Sequence, residues 1–301
     1  MSTAPFGRLA LRVTCMQRLG AYHVLRVADP HLPVGGRAGP GGWAEGGWAP
    51  IPGQFAMLAA AERWGGGEDE RPYLPRAFSI ARHVDGETHF LLDDVGPGTR
   101  RLSELCEGEQ LWALGPLGRG FQLGGRDLDS RRAILVGGGA GIAPLAILQD
   151  ELAREDVRAG ATSAQPTVLL GFRDSDHAQG AALLDGPRAA PGRATIATDD
   201  GSTGHHGLVT DLLEADLARD AHAVVYACGP AGMLEGVRAL CERTRTPAQL
   251  ALEAGMACGF GACFGCVVPT RGGGYLRVCV DGPVIDAAEL DHVDIHAGAP
   301  A

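Results

Sequence analysis

Four cysteines near the C-terminal end of the sequence give its strongest chemical signal. Their spacing is Cys258-x4-Cys263-x2-Cys266-x12-Cys279. In this pattern, three thiolates from a tight loop and a fourth from a distant strand hold a plant-type [2Fe–2S] cluster. Glycines inside the loop let the backbone wrap closely and point N–H groups at the sulfurs. A structural zinc site prefers two Cys-x2-Cys pairs, and this chain has one. The sequence therefore predicts a [2Fe–2S] cluster, with zinc or a metal-free loop as the alternatives.

Two short segments in the first half of the chain could hold a flavin. Arg76-Ala77-Phe78-Ser79 offers a cation for a pyrophosphate, an aromatic ring and a hydroxyl for a flavin ring nitrogen. Gly96-Pro97-Gly98-Thr99 is a Gly-rich turn whose amides, with the Thr99 hydroxyl beside them, suit a second phosphate. Each segment alone is equally typical of a strand end or a turn.

A Gly-rich turn also lies between an apolar strand and a helix. Gly137 to Gly139, Gly141 and Pro144 form this turn, which presents free amides and the positive end of a helix to an anion. It departs from the G-x-G-x-x-G fingerprint, and no acidic residue follows at a strand end about twenty residues on. We expect a nicotinamide nucleotide here, with Gly138, Gly139 and Gly141 in contact. A Gly turn without a ligand is the alternative.

Cys228 is the candidate catalytic residue. It follows the apolar strand 223–227 and precedes Gly229-Pro230, at the carboxyl edge where doubly wound sheets bind ligands. It could face a nicotinamide ring, or it could be a small buried residue beside a tight turn.

The elements that position these residues change along the chain. Residues 1–126 have short strands broken by Gly and Pro, which predicts an antiparallel β-barrel with Gly-rich surface loops at 35–47 and 65–69. Residues 127–245 alternate unpatterned apolar strands with helices, which predicts an α/β domain with a doubly wound parallel sheet. Residues 246–301 form a small module that needs its cluster to hold it together. The predicted fold class is thus α+β and multidomain.

Composition excludes several classes of function. The chain has 26 cationic side chains and a net charge of −10. The sequence contains no Lys, which excludes P-loop and Schiff-base chemistry. The acidic balance argues against nucleic acid as a partner. We expect no membrane span and no secretory signal, and hence a cytoplasmic protein whose eight cysteines are not a disulfide framework.

In this order, the motifs resemble the ferredoxin–NADP reductase superfamily. Arg-x-Phe-Ser, Gly-Thr, the segment Gly115 to Phe121 and Tyr226-x-Cys-Gly-Pro-x-x-Met233 carry that resemblance. The C-terminal module, from Leu252-Glu253-Ala254-Gly255-Met256-Ala257-Cys258 to Asp281-Gly282-Pro283-Val284, is similar to the family of electron-transfer subunits of class 1B dihydroorotate dehydrogenases. The resemblance extends over nearly the whole chain.

The resemblance implies FAD in the first domain, NAD(H) in the second and a [2Fe–2S] cluster in the third. Arg76, Ala77, Phe78 and Ser79 would line the flavin, and Gly98 and Thr99 its pyrophosphate. The family has an aromatic and a basic residue where this chain has Leu92 and Asp93, so Leu91, Leu92 and Asp93 would contact FAD through their backbone only.

The resemblance also implies a partner. An FMN-containing dihydroorotate dehydrogenase catalytic subunit, in a heterotetramer, would deliver electrons through the cluster and FAD to NAD+, in pyrimidine biosynthesis. Two alternatives stay open: a flavin/iron–sulfur NAD(P)H reductase subunit of a hydrogenase-like or oxygenase complex, and a redox-sensing binding protein. Asp174 and Asp176 favour NAD over NADP by repelling a 2′-phosphate, whereas Arg173 would attract one.

Overall fold

The computed structural model describes residues 3–4, 8–29, 48–65, 72–124, 128, 130–159, 165–185 and 194–293. The surface loop predicted at 35–47, and residues 66–69 of the second loop, lie outside these ranges. No helix within the described ranges has both the length and the apolar character needed to cross a bilayer.

The N-terminal part is a closed antiparallel barrel, as predicted. Its strands are β1 (Thr3–Ala4), β2 (Arg8–Leu19), β3 (Tyr22–Ala28), β4 (Phe55–Ala60), β5 (Arg76–Val84), β6 (Glu87–Asp93) and β7 (Gln110–Leu117), with helix α1 (Pro97–Ser103) before β7. The sheet order is β1-β2-β3-β6-β5-β4-β7, and β2 also pairs with β7, which closes six strands into the barrel. Leu25, Leu58, Ile80 and Phe90 fill its interior.

The central part is a parallel sheet covered by helices, which confirms the predicted α/β class. Its elements are β8 (Arg132–Gly138), α2 (Ala143–Ala159), β9 (Thr167–Phe172), α3 (Ser175–Ala178), β10 (Thr195–Thr198), β11 (His205–His206), α4 (Val209–Arg219), β12 (Ala223–Cys228), α5 (Ala231–Thr244) and β13 (Ala248–Ala251). The order is β11-β10-β9-β8-β12-β13, all parallel. The carboxyl ends of β8 and β12 are adjacent, with Cys228 opposite Gly137.

The C-terminal part combines the cysteine loop with three short strands. They are β14 (Val267–Pro269), β15 (Tyr275–Arg277) and β16 (Val284–Asp286). β14 and β15 form a two-stranded sheet, whereas β16 pairs antiparallel with β13 at the edge of the central sheet. Both β13 and β16 follow residue 245, so the central sheet extends into the segment after the predicted boundary; the boundaries themselves stay a prediction.

A buried ion pair joins the barrel to the central part. Arg82 of β5 and Asp150 of α2 meet with Nε and Oδ2 2.7 Å apart, and both side chains are almost fully buried. Ile147 of the same helix packs into the barrel's hydrophobic cluster. Because an apolar contact and a desolvated charge pair act together, the two parts hold a defined orientation.

Candidate cofactor sites

A cavity of about 550 Å³ opens at the carboxyl edge of the central sheet. Its walls come from the turn after β8, the ends of β9 and β10, and the starts of α4 and α5. They include Gly138, Gly139, Ala140, Gly141, Phe172, Arg173, Asp199, Val209, Thr210, Pro230 and Met233. All three predicted nucleotide-contacting glycines therefore line one cavity.

The glycines of this turn are fixed by close contacts. A Cβ on Gly141 would lie 2.5 Å from the Cys228 carbonyl oxygen, and one on Gly138 would lie 2.5 Å from Met233 Sδ. No larger residue fits at Gly141, where the close atoms are backbone, and at Gly138 a larger residue would require the Met233 and Pro230 side chains to shift. The backbone of the turn is thereby pressed against β12 and α5, which suits close approach of a dinucleotide to its amides.

Cys228 lies at the end of β12 with 1% of its surface exposed. Burial raises the pKa of its thiol well above the usual value, and the nearby Glu253 carboxylate adds to this. The thiol is therefore neutral at physiological pH. Its neighbours Gly141 and Pro230 line the cavity, and Cys228 packs directly behind them.

Glu253 also lines the cavity, and sequence reasoning did not single it out as a site residue. Its side chain is exposed to the cavity, and desolvation by the protein atoms around its carboxyl group raises the pKa of that group. Its place two residues after β13, at the same sheet edge as Cys228, is the signal that could have identified it.

Three of the predicted flavin residues lie together between β5 and α1: Arg76, Gly98 and Thr99. A Cβ on Gly98 would lie 2.6 Å from Arg76 Nε, so the guanidinium packs directly over the helix start. Arg76 Nη1 donates to the Leu74 carbonyl at 2.7 Å, which fixes that orientation. The Thr99 hydroxyl accepts from the backbone N–H groups of Val95 and Gly96, both at 3.0 Å. Thr99 thus stabilises the turn, and the cationic group beside it suits a pyrophosphate.

The rest of the predicted flavin set is divided between the surface and the core. Ala77 is exposed, and Phe78 and Ser79 are half-buried beside it. Leu91 and Leu92 are buried in hydrophobic clusters, so their side chains are committed to packing.

Asp93 lines the cavity at the carboxyl edge of the central sheet, which we call the nucleotide cavity. Its Oδ2 lies 3.9 Å from Arg173 Nη2 of the central part. The side chain of Asp93 thus faces this cavity and Arg173 of the central part.

The four clustered cysteines are arranged as two sulfur pairs. Cys266 and Cys279 are both 2% exposed, with their sulfurs 3.2 Å apart. Cys258 and the exposed Cys263 are close enough to hydrogen-bond. Within the described ranges, no three metal-binding side chains converge on one point. Two pairs fit a two-iron cluster, in which each iron takes two thiolates, better than they fit one zinc ion.

Backbone amides point at these sulfurs, as the glycines of the loop predict. Burial acts to raise the pKa of Cys258, but N–H groups of Cys263, Phe260 and Ala262 outweigh it and lower the pKa to about 6. At Cys279, burial and the Cys266 sulfur raise the pKa to about 12, while the Gly261 amide opposes them. The donor set therefore suits a negatively charged iron–sulfur group.

The cysteine loop also touches the barrel. A Cβ on Gly259 would lie 2.5 Å from Met57 Cγ of β4, and Met57 is the register partner of Ala77 in β5. The predicted flavin residues and the predicted cluster ligands are thus separated by little more than one side chain.

A larger cavity, about 820 Å³, lies between α5 and β16, and none of the predicted site residues lines it.

Two family models match the chain. Residues 253–291 match the iron–sulfur cluster binding domain of dihydroorotate dehydrogenase B, and residues 135–239 match the oxidoreductase NAD-binding domain. These matches contain all four clustered cysteines and the Gly-rich turn. They confirm the predicted oxidoreductase class and support the predicted iron–sulfur cluster and NAD.

Solved structures share the fold. The chain is similar to the NADH-dependent reduced ferredoxin–NADP oxidoreductase of a study of flavin-based electron bifurcation, with a TM-score of 0.70, 23% identity and coverage of 98% of this chain and 93% of that one. It is also similar to the ferredoxin reductase of carbazole 1,9a-dioxygenase, with a TM-score of 0.60, 21% identity and coverage of 80% and 67%. At these identities the likeness shows the fold alone.

Curated relatives are much closer in sequence. The electron transfer subunit of dihydroorotate dehydrogenase B (NAD(+)) from Geobacillus kaustophilus (strain HTA426) is 40% identical over 245 residues, covering 79% of this chain and 86% of the relative. The subunit of the same name from Caldanaerobacter subterraneus subsp. tengcongensis is 34% identical over 244 residues, covering 80% and 87%. The chain therefore belongs to the family of electron transfer subunits of dihydroorotate dehydrogenase B (NAD(+)).

Proposed function

We propose that this chain conducts electrons between a catalytic partner subunit and NAD+ by holding three redox groups in a row. The observation that supports this most directly is the contact of Gly259 with Met57, because it joins the cysteine loop to the strand beside the flavin residues. When bound, FAD exchanges electron pairs with the nicotinamide and single electrons with the cluster.

Individual roles follow from the geometry. Arg76 neutralises the FAD pyrophosphate beside the amides of Gly98 and Thr99, and Ala77, Phe78 and Ser79 form the flavin wall. The amides of Gly138, Gly139 and Gly141 hold the dinucleotide. Cys228 packs as a neutral thiol behind the nicotinamide position. Cys258, Cys263, Cys266 and Cys279 ligate the irons in the two pairs described above.

The partner in this proposal is an FMN-containing subunit that oxidises dihydroorotate, joined in a cytoplasmic heterotetramer. Its docking face on this chain is the exposed side of the cysteine loop. Phe260 and Phe264 are 58% and 60% exposed there, on either side of the exposed Cys263. Exposed aromatic side chains beside a redox centre suit a protein interface, because they bury large areas on docking.

The test is co-purification with the FMN subunit encoded in the same genome. The tagged chain should retain it, and the complex should reduce NAD+ with dihydroorotate. Phe260→Glu with Phe264→Glu should abolish co-purification, whereas the control Tyr73→Glu, at a side chain that is 70% exposed elsewhere, should not. The proposal would be contradicted if the intact chain, isolated with its FAD and cluster, coupled NADH to a different catalytic subunit and never to dihydroorotate.

A further inference from the structure

Tyr22 begins β3 of the barrel, yet its ring is held by the central part. The side chain is 1% exposed. A Cβ on Gly180 would lie 2.9 Å from Tyr22 Cε2, and the His177 ring meets the Tyr22 ring edge to face at 5.5 Å and 87°. The contacts with Gly180 and with the His177 ring hold the Tyr22 ring in place.

The His177 ring is itself fixed. Its Nδ1 lies 2.7 Å from Asp174 Oδ1, and the same carboxylate oxygen accepts the His177 backbone N–H at 2.9 Å. Asp174 is therefore engaged in orienting the ring that packs against Tyr22.

The Tyr22 hydroxyl is left without a hydrogen-bond partner among the described residues. It points toward the nucleotide cavity, whose lining includes Tyr22. Beyond the adjacent backbone, the atom nearest to the place of a Cβ on Gly139 is Tyr22 Oη, at 3.8 Å. Burial and the Asp93 carboxylate raise the pKa of the phenol, so the group is a neutral donor throughout the physiological range.

The Tyr22 side chain is buried while its hydroxyl opens into the cavity, so a ligand bound there can accept its hydrogen bond. The ligand group expected at a Gly turn between a parallel strand and a helix start is a phosphate. We propose that the Tyr22 hydroxyl, supplied by the flavin barrel, donates a hydrogen bond to a diphosphate oxygen of the dinucleotide bound at the Gly139 turn. This inference rests on the proposed nucleotide site. It makes that site a joint property of both parts of the molecule.

The test compares Tyr22→Phe with Tyr226→Phe in the full chain. Each variant loses one hydroxyl from a tyrosine that is 1% exposed. The Tyr226 hydroxyl donates to the Gln122 carbonyl at 3.2 Å, within the protein. The probe is ADP-ribose, which contains the diphosphate and lacks nicotinamide, so binding is measured by calorimetry without turnover.

Tyr22→Phe should weaken ADP-ribose binding about tenfold, the effect of one hydrogen bond to a charged acceptor. Flavin content should match the wild type, and Tyr226→Phe should bind ADP-ribose as the wild type does. Equal affinities for Tyr22→Phe and wild type, or equal losses in both variants, would overturn the inference. A wild-type chain that binds no ADP-ribose would instead refute the nucleotide site itself.

Discussion

Gly259 of the cysteine loop lies against Met57 of barrel strand β4. A Cβ at Gly259 would come within 2.5 Å of Met57 Cγ and 2.8 Å of Met57 Sδ. Phe55, two residues earlier on the same strand, shares a hydrophobic cluster with Cys266 and Cys279. One strand of the barrel therefore supports the cysteine loop while its other face packs inside the barrel.

Gly259→Ala should displace the cysteine loop. Its φ is +79°, so the new side chain adds backbone strain of about 1–2 kcal/mol as well as the collision with Met57. We expect less iron per chain and faster loss of the visible cluster absorbance on dilution. The control Gly273→Ala has a nearly equal φ of +81° and nothing within 4 Å, so it carries the strain alone. Equal iron content in the two variants would show that the Met57 contact does not support the cluster.

Cys279→Ser should abolish the cluster, because it removes one of two buried sulfurs 3.2 Å apart. Iron and sulfide analysis should give little of either, while flavin content is retained. Cys106→Ser, at an exposed cysteine outside the cluster, should keep the wild-type iron content. If Cys279→Ser retains a full complement of iron, the proposed ligand set is wrong.

Arg76→Gln should lower FAD affinity by at least about tenfold, since it removes the cation packed over the start of α1, the proposed site of the pyrophosphate. Arg100→Gln is the matched control, because Arg100 lies in α1 with its side chain 64% exposed and its Nε 3.4 Å from Asp94 Oδ2. Fluorescence titration of the flavin-free chain with FAD measures both affinities. Equal losses in the two variants would leave no specific role for Arg76.

Asp150→Ala should destabilise the chain by about 3–5 kcal/mol, because it leaves the Arg82 guanidinium buried without its partner. Glu104→Ala breaks the exposed ion pair with Arg63, whose side chains are 59% and 47% exposed, and should cost less than about 1 kcal/mol. Denaturant unfolding of both variants gives the comparison. A small loss for Asp150→Ala would mean that water reaches this interface.

Glu253→Gln should stabilise the nucleotide-free chain more as the pH rises. The folded state raises the pKa of Glu253, so it binds the proton more tightly than the unfolded state, and the free energy of unfolding falls above the ordinary value of 4.5. Because the glutamine side chain does not ionise, Glu253→Gln does not lose this free energy of unfolding as the pH rises. The melting temperatures of the variant and the wild type, plotted against pH, should diverge from pH 4.5 upward. Their difference should become constant once the folded-state pKa is passed. A constant difference across this range would contradict the desolvation of Glu253.

Local sequence pattern predicted the main elements because their own residues determine them. The apolar strand predicted at 223–227 is the greater part of β12, and the Gly-rich turn predicted between a strand and a helix lies between β8 and α2. The cysteine spacing brings the sulfurs into two pairs because the loop is short and rich in glycine.

Features that depend on distant contacts were not predictable in this way. Strand β4, Phe55–Ala60, is buried on both faces, so it lacks the alternation that identifies a barrel strand. The pairing of β16 with β13 joins the last strand to the central sheet, and no local signal specifies it. Glu253 and Tyr22 reach the nucleotide cavity from the cysteine module and the barrel, and only the assembled fold shows that they meet there.

The most direct test of the whole account is an anaerobic titration of the purified chain with NADH, followed by visible and electron paramagnetic resonance spectroscopy. The account predicts about two irons and one FAD per chain, bleaching of both absorbances by NADH and the resonance of a reduced [2Fe–2S] cluster. Cys279→Ser should lose that resonance while its flavin still bleaches. Zinc in place of iron, or a flavin that bleaches while an intact cluster stays oxidised, would contradict the continuous electron path from nucleotide to cluster.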